Sequence, residues 1–150
     1  MPAASSIVRQ LVEQAFNLGN LAVVDELVLL EAASHAPGWG LPANRLGLKQ
    51  LVANLRAAFP DLHCTLADDI DRETRSAALW MLRGTHQGPF LGNMPTGRQV
   101  EVLGFVFAHI KNGRISEGWL LIDQISMLQQ IGAVPPPSGN FAKDPIHRRP

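Results

Sequence analysis

A single carboxylate closes an apolar run near the end of the chain, Ile115-Ser116-Glu117-Gly118-Trp119-Leu120-Leu121-Ile122-Asp123. The run has the composition of a buried β-strand, in which alternate side chains share a face, so Trp119, Leu121 and Asp123 are expected to point the same way. A carboxylate among Leu, Ile and Trp is poorly solvated, which disfavours its charged form. Groups perturbed in this way recur as general acids and bases. Asp123 has a second use, capping a helix that begins at Gln124-Ile125-Ser126 by accepting backbone N–H groups. The two uses are compatible.

Other chemistry-bearing residues are weaker candidates. Trp39, flanked by glycines in Pro37-Gly38-Trp39-Gly40-Leu41-Pro42, is either a lid over a pocket or a plug for the core. His63 alternates with core residues and is expected in solvent. His109 falls on the opposite parity from Asp123 if the hairpin between their strands is regular. No His, Asp or Glu spacing makes a metal site, and Cys64, the one cysteine, excludes an internal disulfide. Cys64 is expected to be an inert core thiol.

The elements that must position these residues fall into two blocks. Ile7, Val8, Leu11, Val12, Ala15 and Phe16 recur at helical spacing after Ser5-Ser6, a good N-cap region. Asn17-Leu18-Gly19-Asn20 ends that helix, and Asn20 can cap a second one carrying Val23, Val24, Leu27 and Val28. A third presents Leu48, Leu51, Val52, Leu55 and Phe59, and stops at Pro60. The pattern then turns to strands over Leu62–Ile70, Ala77–His86 and Val100–Ile110. A fourth strand ends at Asp123, after Asn112-Gly113, the strongest short hairpin signal. A short helix closes on Gly132.

Helices first and an antiparallel sheet afterwards make an α+β layout, a curved sheet roofed by helices around a cone-shaped hollow. Residues 1–132 form the expected domain, and 133–150 a proline-rich tail, extended or disordered. The last two strands are apolar on both faces, with no helix left for the second face. A homodimer packed through the sheet, on Leu103, Phe105, Phe107, Leu120 and Ile122, is the economical cover.

Composition agrees with one domain, since 150 residues bury about 70% of their unfolded surface. Net charge is zero and no basic stripe exists, which argues against nucleic acid as a partner. Charged residues make up 17% against 46% hydrophobic, a lean surface suited to an interface or an apolar pocket. No apolar run reaches membrane-spanning length and the N-terminus has no secretion signal, so a soluble cytoplasmic protein is expected.

Several segments together carry a family resemblance. They are Ala58-Phe59-Pro60-Asp61-Leu62, Gly84-Thr85-His86-Gln87-Gly88-Pro89-Phe90-Leu91-Gly92 and Pro95-Thr96-Gly97-Arg98. To these is added the stretch from Asn112-Gly113-Arg114-Ile115 through Glu117, Trp119 and Asp123 to Leu128-Gln129-Gln130-Ile131-Gly132. From about Ile7 to Gly132 the chain resembles the SnoaL-like polyketide cyclases, members of the NTF2-like superfamily of α+β cone folds.

The resemblance implies ring closure of a polyketide-like carbonyl compound by intramolecular aldol condensation, independent of cofactor and metal. Asp123 would be the acid/base, in Trp119-x-x-x-Asp123. Polar groups must then stabilise the enolate oxygen. His86 is the first candidate, on one face with Trp80, Leu82 and Gly84; alternatively it only ends its strand and bonds the next turn. His35, in Ser34-His35-Ala36-Pro37, stands where relatives carry a pocket-mouth histidine. It lacks their acidic sequence neighbours, which would raise its pKa, and could instead bridge backbone carbonyls. Trp119, Trp80, Trp39 and Leu121 would line the substrate site.

One departure stands out. Gly118 replaces a histidine common in relatives, and alternation turns position 118 away from Trp119 and Asp123. The same resemblance accommodates a non-catalytic binder of an apolar metabolite, or another NTF2-like enzyme such as a dehydratase or hydrolase.

Overall fold

Ser6 starts the first helix as expected, its Oγ accepting the Arg9 N–H at 3.0 Å. The computed structural model describes residues 6–137; the remainder of the expected tail, 138–150, lies outside the described residues. Helix α1, Ile7–Leu11, winds on into a wider π-helical stretch, Val12–Asn17. Helix α2 is Ala22–Leu27, with Leu21 and not Asn20 at its cap. Helix α3, Arg45–Ala58, is capped by Asn44, whose side chain accepts the Gly47 N–H at 2.9 Å. The strands are β1 Val28–His35, β2 His63–Asp71, β3 Arg75–Thr85, β4 Gln99–Lys111 and β5 Arg114–Ile122, and helix α4 is Gln124–Gln130. The layout is α+β.

The five strands run in the order β1-β5-β4-β3-β2, antiparallel except for the β1–β5 pair. Strand β1 was not expected. Leu29-Leu30-Glu31-Ala32-Ala33 is rich in helix formers, but pairing with β5 overrides local preference, and Val28 opens a strand instead of ending a helix. The other edge strand, β2, is held by Asn17. Its Oδ1 accepts the Cys64 N–H at 2.7 Å and its Nδ2 donates to the Cys64 carbonyl at 2.9 Å.

The helices cover one sheet face, where Leu51, Val52, Leu55 and Phe59 are wholly buried. Gly84 is small because Phe59 lies against it: a Cβ there would stand 2.8 Å from the Phe59 Cβ. Cys64 is a buried thiol, its pKa pushed up to about 12 by desolvation, which removes the reactive thiolate at neutral pH. Asp61 joins the end of α3 to β3 by accepting the Thr85 hydroxyl and N–H, each at 2.7 Å. Those two bonds lower its pKa below 3.8. The tie is therefore complete at neutral pH and is lost as acidification carries the pH down through that lowered value.

Candidate functional site

The hairpin between β4 and β5 decides which side chains can meet. Asn112 and Gly113 both have positive φ, 51° and 74°, the tight two-residue turn that Asn-Gly favours. Lys111 pairs with Arg114 and Ile110 with Ile115, but His109 pairs with Glu117. Ser116 is the extra residue, a bulge stitched by its hydroxyl donating to the His109 carbonyl at 3.2 Å. Beyond the bulge every β5 side chain is on the opposite face from that of a regular hairpin. Gly118, Leu120 and Ile122 face the helices. Trp119 and Leu121 join Phe105, Phe107 and His109 on the outer face, with the Trp119 ring 5.7 Å from Phe107 and 5.2 Å from His109.

Inside the cone lies an apolar hollow of about 520 Å³ of atom-free space, its open mouth included. Leu11, Phe16 and Leu48 wall it from the helices, and Val106, Gly118 and Leu120 from the sheet. The end of β1 and the loop after it supply its rim, where His35 and Trp119 stack at 5.3 Å between ring centroids and 24° between planes. His35 Nε2 lies 2.8 Å from a Glu117 carboxylate oxygen. An ionised carboxylate only accepts, so Nε2 carries the proton and, in the neutral ring, Nδ1 holds the free lone pair. His35 is thus an imidazole on the rim of an apolar cavity, oriented from behind by the Glu117 carboxylate, each side chain about a third exposed.

The other expected site residues are dispersed. Asp123 is exposed, not enclosed, and it is absent from the wall of the hollow. It is the N-cap of α4, accepting the Ser126 N–H at 3.0 Å and the Ser126 hydroxyl at 2.6 Å. Leu121, half-exposed on the outer face, does not line the hollow either. The bulge is the reason in the case of Leu121; for Asp123 it is the turn into α4. Gly118, expected to face away from the site, is in its wall. Trp80 is buried, and it lines a second apolar hollow beside Cys64, Leu82 and Gly104 instead of the one at His35. Trp39 packs partly buried against Phe90 at 6.0 Å, a plug at the core's edge.

His86 is wholly buried and locks a turn. Its Nδ1 accepts the Thr96 N–H at 3.2 Å and lies 3.0 Å from the Thr96 hydroxyl, while its ring packs on Phe59 and Phe90. Glu117 was not anticipated, because its bond to His35 crosses the β1–β5 pair and β1 itself was hidden in helix-forming residues. Among the described residues no cluster of three or more His, Cys, Asp or Glu could hold a metal ion, and no helix is long and apolar enough to cross a membrane.

The cap makes its own prediction. Asp123→Ala should lower stability by about 0.5–2 kcal/mol in urea unfolding, whereas Asp123→Asn, which can still accept the Ser126 N–H, should be nearly neutral.

Comparisons with known proteins agree with this architecture. A family model described as SnoaL-like polyketide cyclase matches residues 6–131. IdmH from Streptomyces antibioticus, described as "a putative polyketide cyclase", is 34% identical with a TM-score of 0.74, over 84% of this chain and 96% of its own. AclR from Streptomyces galilaeus, described as "a putative hydroxylase", has a TM-score of 0.76 at 23% identity, over 87% of this chain and 82% of its own. At that identity the likeness to AclR is one of fold. A search of the curated proteins found no match.

Proposed function

The chain belongs to the SnoaL-like polyketide cyclase family, and from that premise we propose that it closes a ring in an apolar carbonyl compound, with His35 as acid/base and Glu117 as its orienting carboxylate. The single observation that carries this reading is the 2.8 Å His35–Glu117 bond on the rim of the apolar hollow.

The chemistry needs no partner beyond the side chains. His35 Nδ1 takes a proton from a carbon between two carbonyls, and Glu117 stabilises the imidazolium that results. The enolate carbon attacks a second carbonyl of the same molecule, forming the new C–C bond. The alkoxide takes the proton back from His35, so the step is a net isomerisation. The apolar walls strengthen the charge interactions by excluding water, and the stacked Trp119 limits how far the imidazole can turn. Asp123 contributes the cap that fixes the β5–α4 corner.

The test uses α-tetralone, a bicyclic ketone, in D2O. The protein is expected to accelerate exchange of the α-protons above the buffer rate, read by proton NMR. Binding without any acceleration would make the protein a carrier on this scaffold and end the catalytic reading.

We further propose that the outer sheet face is covered by a second copy of the chain. Phe105 is 40% and Leu121 50% exposed there, beside Leu103, Phe107 and Trp119. Leu120 and Ile122, expected in this patch, pack against the core. Light scattering should give a dimer mass at micromolar concentration and a monomer for Phe105→Glu. A monomeric parent would overturn the proposal.

A further inference from the structure

Taking a proton from the carbon beside a carbonyl leaves negative charge on the carbonyl oxygen, and a site that does this must offer that oxygen a hydrogen-bond donor. Most of the wall of the hollow is apolar and cannot. Apart from the stacked rings of His35 and Trp119, Ser34 is the only residue in that wall with a polar side chain. His86, the donor expected from the sequence, is buried in its own turn and absent from this wall.

Strand register turns Ser34 inward. It pairs with Gly118 across the parallel β1–β5 ladder, and paired residues share a face, here the one that carries Leu120 and Ile122 toward the helices. Its backbone is held on both edges, by β5 on one side and on the other by its N–H donating to the Ala43 carbonyl at 3.2 Å. The side chain is half-buried, and among the described residues its hydroxyl makes no hydrogen bond. Serine hydroxyls commonly bond a nearby backbone group; this one is left free for a ligand oxygen. Gly118 keeps its flank clear. A Cβ there would meet nothing nearer than Ile115 Cγ2 at 3.6 Å, and its φ is not positive, so neither packing nor backbone demands glycine.

We propose that the Ser34 hydroxyl donates to the carbonyl oxygen of the ligand and stabilises the negative charge that gathers there when His35 takes the neighbouring proton. The inference rests on the reading of His35 as acid/base. Ser34 and His35 are consecutive at the end of β1, about 3.8 Å apart at Cα, one reaching from the inner wall and the other from the rim. In the step, the C–H electron pair becomes a carbon–carbon double bond, the carbonyl pair moves onto oxygen, and the proton goes to His35 Nδ1. Ser34 keeps its own proton throughout. Its hydrogen bond is stronger to the enolate than to the ketone, so it stabilises the transition state more than the bound substrate. Ser34 is thereby a second catalytic residue.

The test compares Ser34→Ala with Ser34→Thr, which keeps a hydroxyl, in the α-proton exchange of α-tetralone. Ser34→Ala is expected to lower kcat about ten- to hundredfold, the weight of one hydrogen bond to a charged group, with little change in KM. Ser34→Thr should keep most of the rate. The alanine variant loses no hydrogen bond within the protein, so its melting temperature should match the parent's. Binding gives a readout that needs no turnover. 1-Naphthol has the planar ring and the oxygen of the enol, and naphthalene lacks the oxygen. Ser34→Ala should weaken 1-naphthol binding about three- to tenfold and leave naphthalene binding unchanged. Exchange that is lost in His35→Gln but kept in Ser34→Ala would overturn the role of Ser34 and spare that of His35. Equal losses in Ser34→Ala and Ser34→Thr would make the effect one of packing and overturn it too. A parent without exchange would end the reading at His35; selective loss of 1-naphthol in Ser34→Ala would then still support Ser34 as the oxygen's donor, and no selective loss would overturn both.

Discussion

Replacing His35 with Gln is expected to lower the α-proton exchange rate by about 10²–10⁴-fold, the range that a positioned acid/base contributes. Stability should hardly change, because the ring is on the rim of the hollow, about a third exposed. Glu117→Gln separates orientation from charge. The amide oxygen can still accept the Nε2–H, so the imidazole keeps its tautomer, but the imidazolium loses its counter-charge. A charge-assisted bond is roughly twice as strong as a neutral one, which makes a loss of about tenfold the expected result. Equal losses in the two variants would show that Glu117 supplies most of the effect through its charge. An unchanged rate in His35→Gln would remove His35 from the chemistry.

The largest expected loss of stability is at Phe59. It is wholly buried, meets Phe90 edge-on at 5.2 Å and His86 at 5.7 Å, and fills the space left by Gly84. Phe59→Ala would empty that position among side chains already tied to the backbone, which leaves little scope for collapse. A cost of about 3–5 kcal/mol is expected, a large fraction of the 5–15 kcal/mol typical of a domain. Urea unfolding measures it directly. The same variant should loosen the connection that His86 fastens through Thr96, read as faster amide exchange at Gly97, whose N–H bonds the His86 carbonyl at 2.9 Å. A cost under 1 kcal/mol would mean that the space against Gly84 refills when the Phe59 ring is removed.

Much of the fold was legible because local and tertiary preferences agree there. The α3 stripe of Leu48, Leu51, Val52 and Leu55 became the buried roof, the Asn112-Gly113 turn formed with both φ values positive, and Gly132 closed α4 at a φ of 83°. The site was harder to read for two physical reasons. Leu29-Leu30-Glu31-Ala32-Ala33 favours a helix in isolation and becomes a strand only by pairing with β5, so the contact between His35 and Glu117 was not visible. The Ser116 bulge adds one residue to β5, and one residue suffices to exchange the faces of Gly118, Trp119, Leu120 and Leu121. Nothing in Ile115-Ser116-Glu117 marks a bulge in advance. Asp123 shows the converse: its cap was readable from Asp-x-x-Ser, while its placement among apolar residues in sequence did not make it buried.

The central claim is that the hollow behind Gly118 holds the ligand with its reacting carbon at His35. A crystal structure of the protein soaked with α-tetralone tests it most directly. The account predicts the bicyclic ring between Gly118 and Leu48, with the carbon beside the carbonyl about 3–3.5 Å from His35 Nδ1. A ketone bound on the outer sheet face, or with that carbon against Asp123, would contradict it.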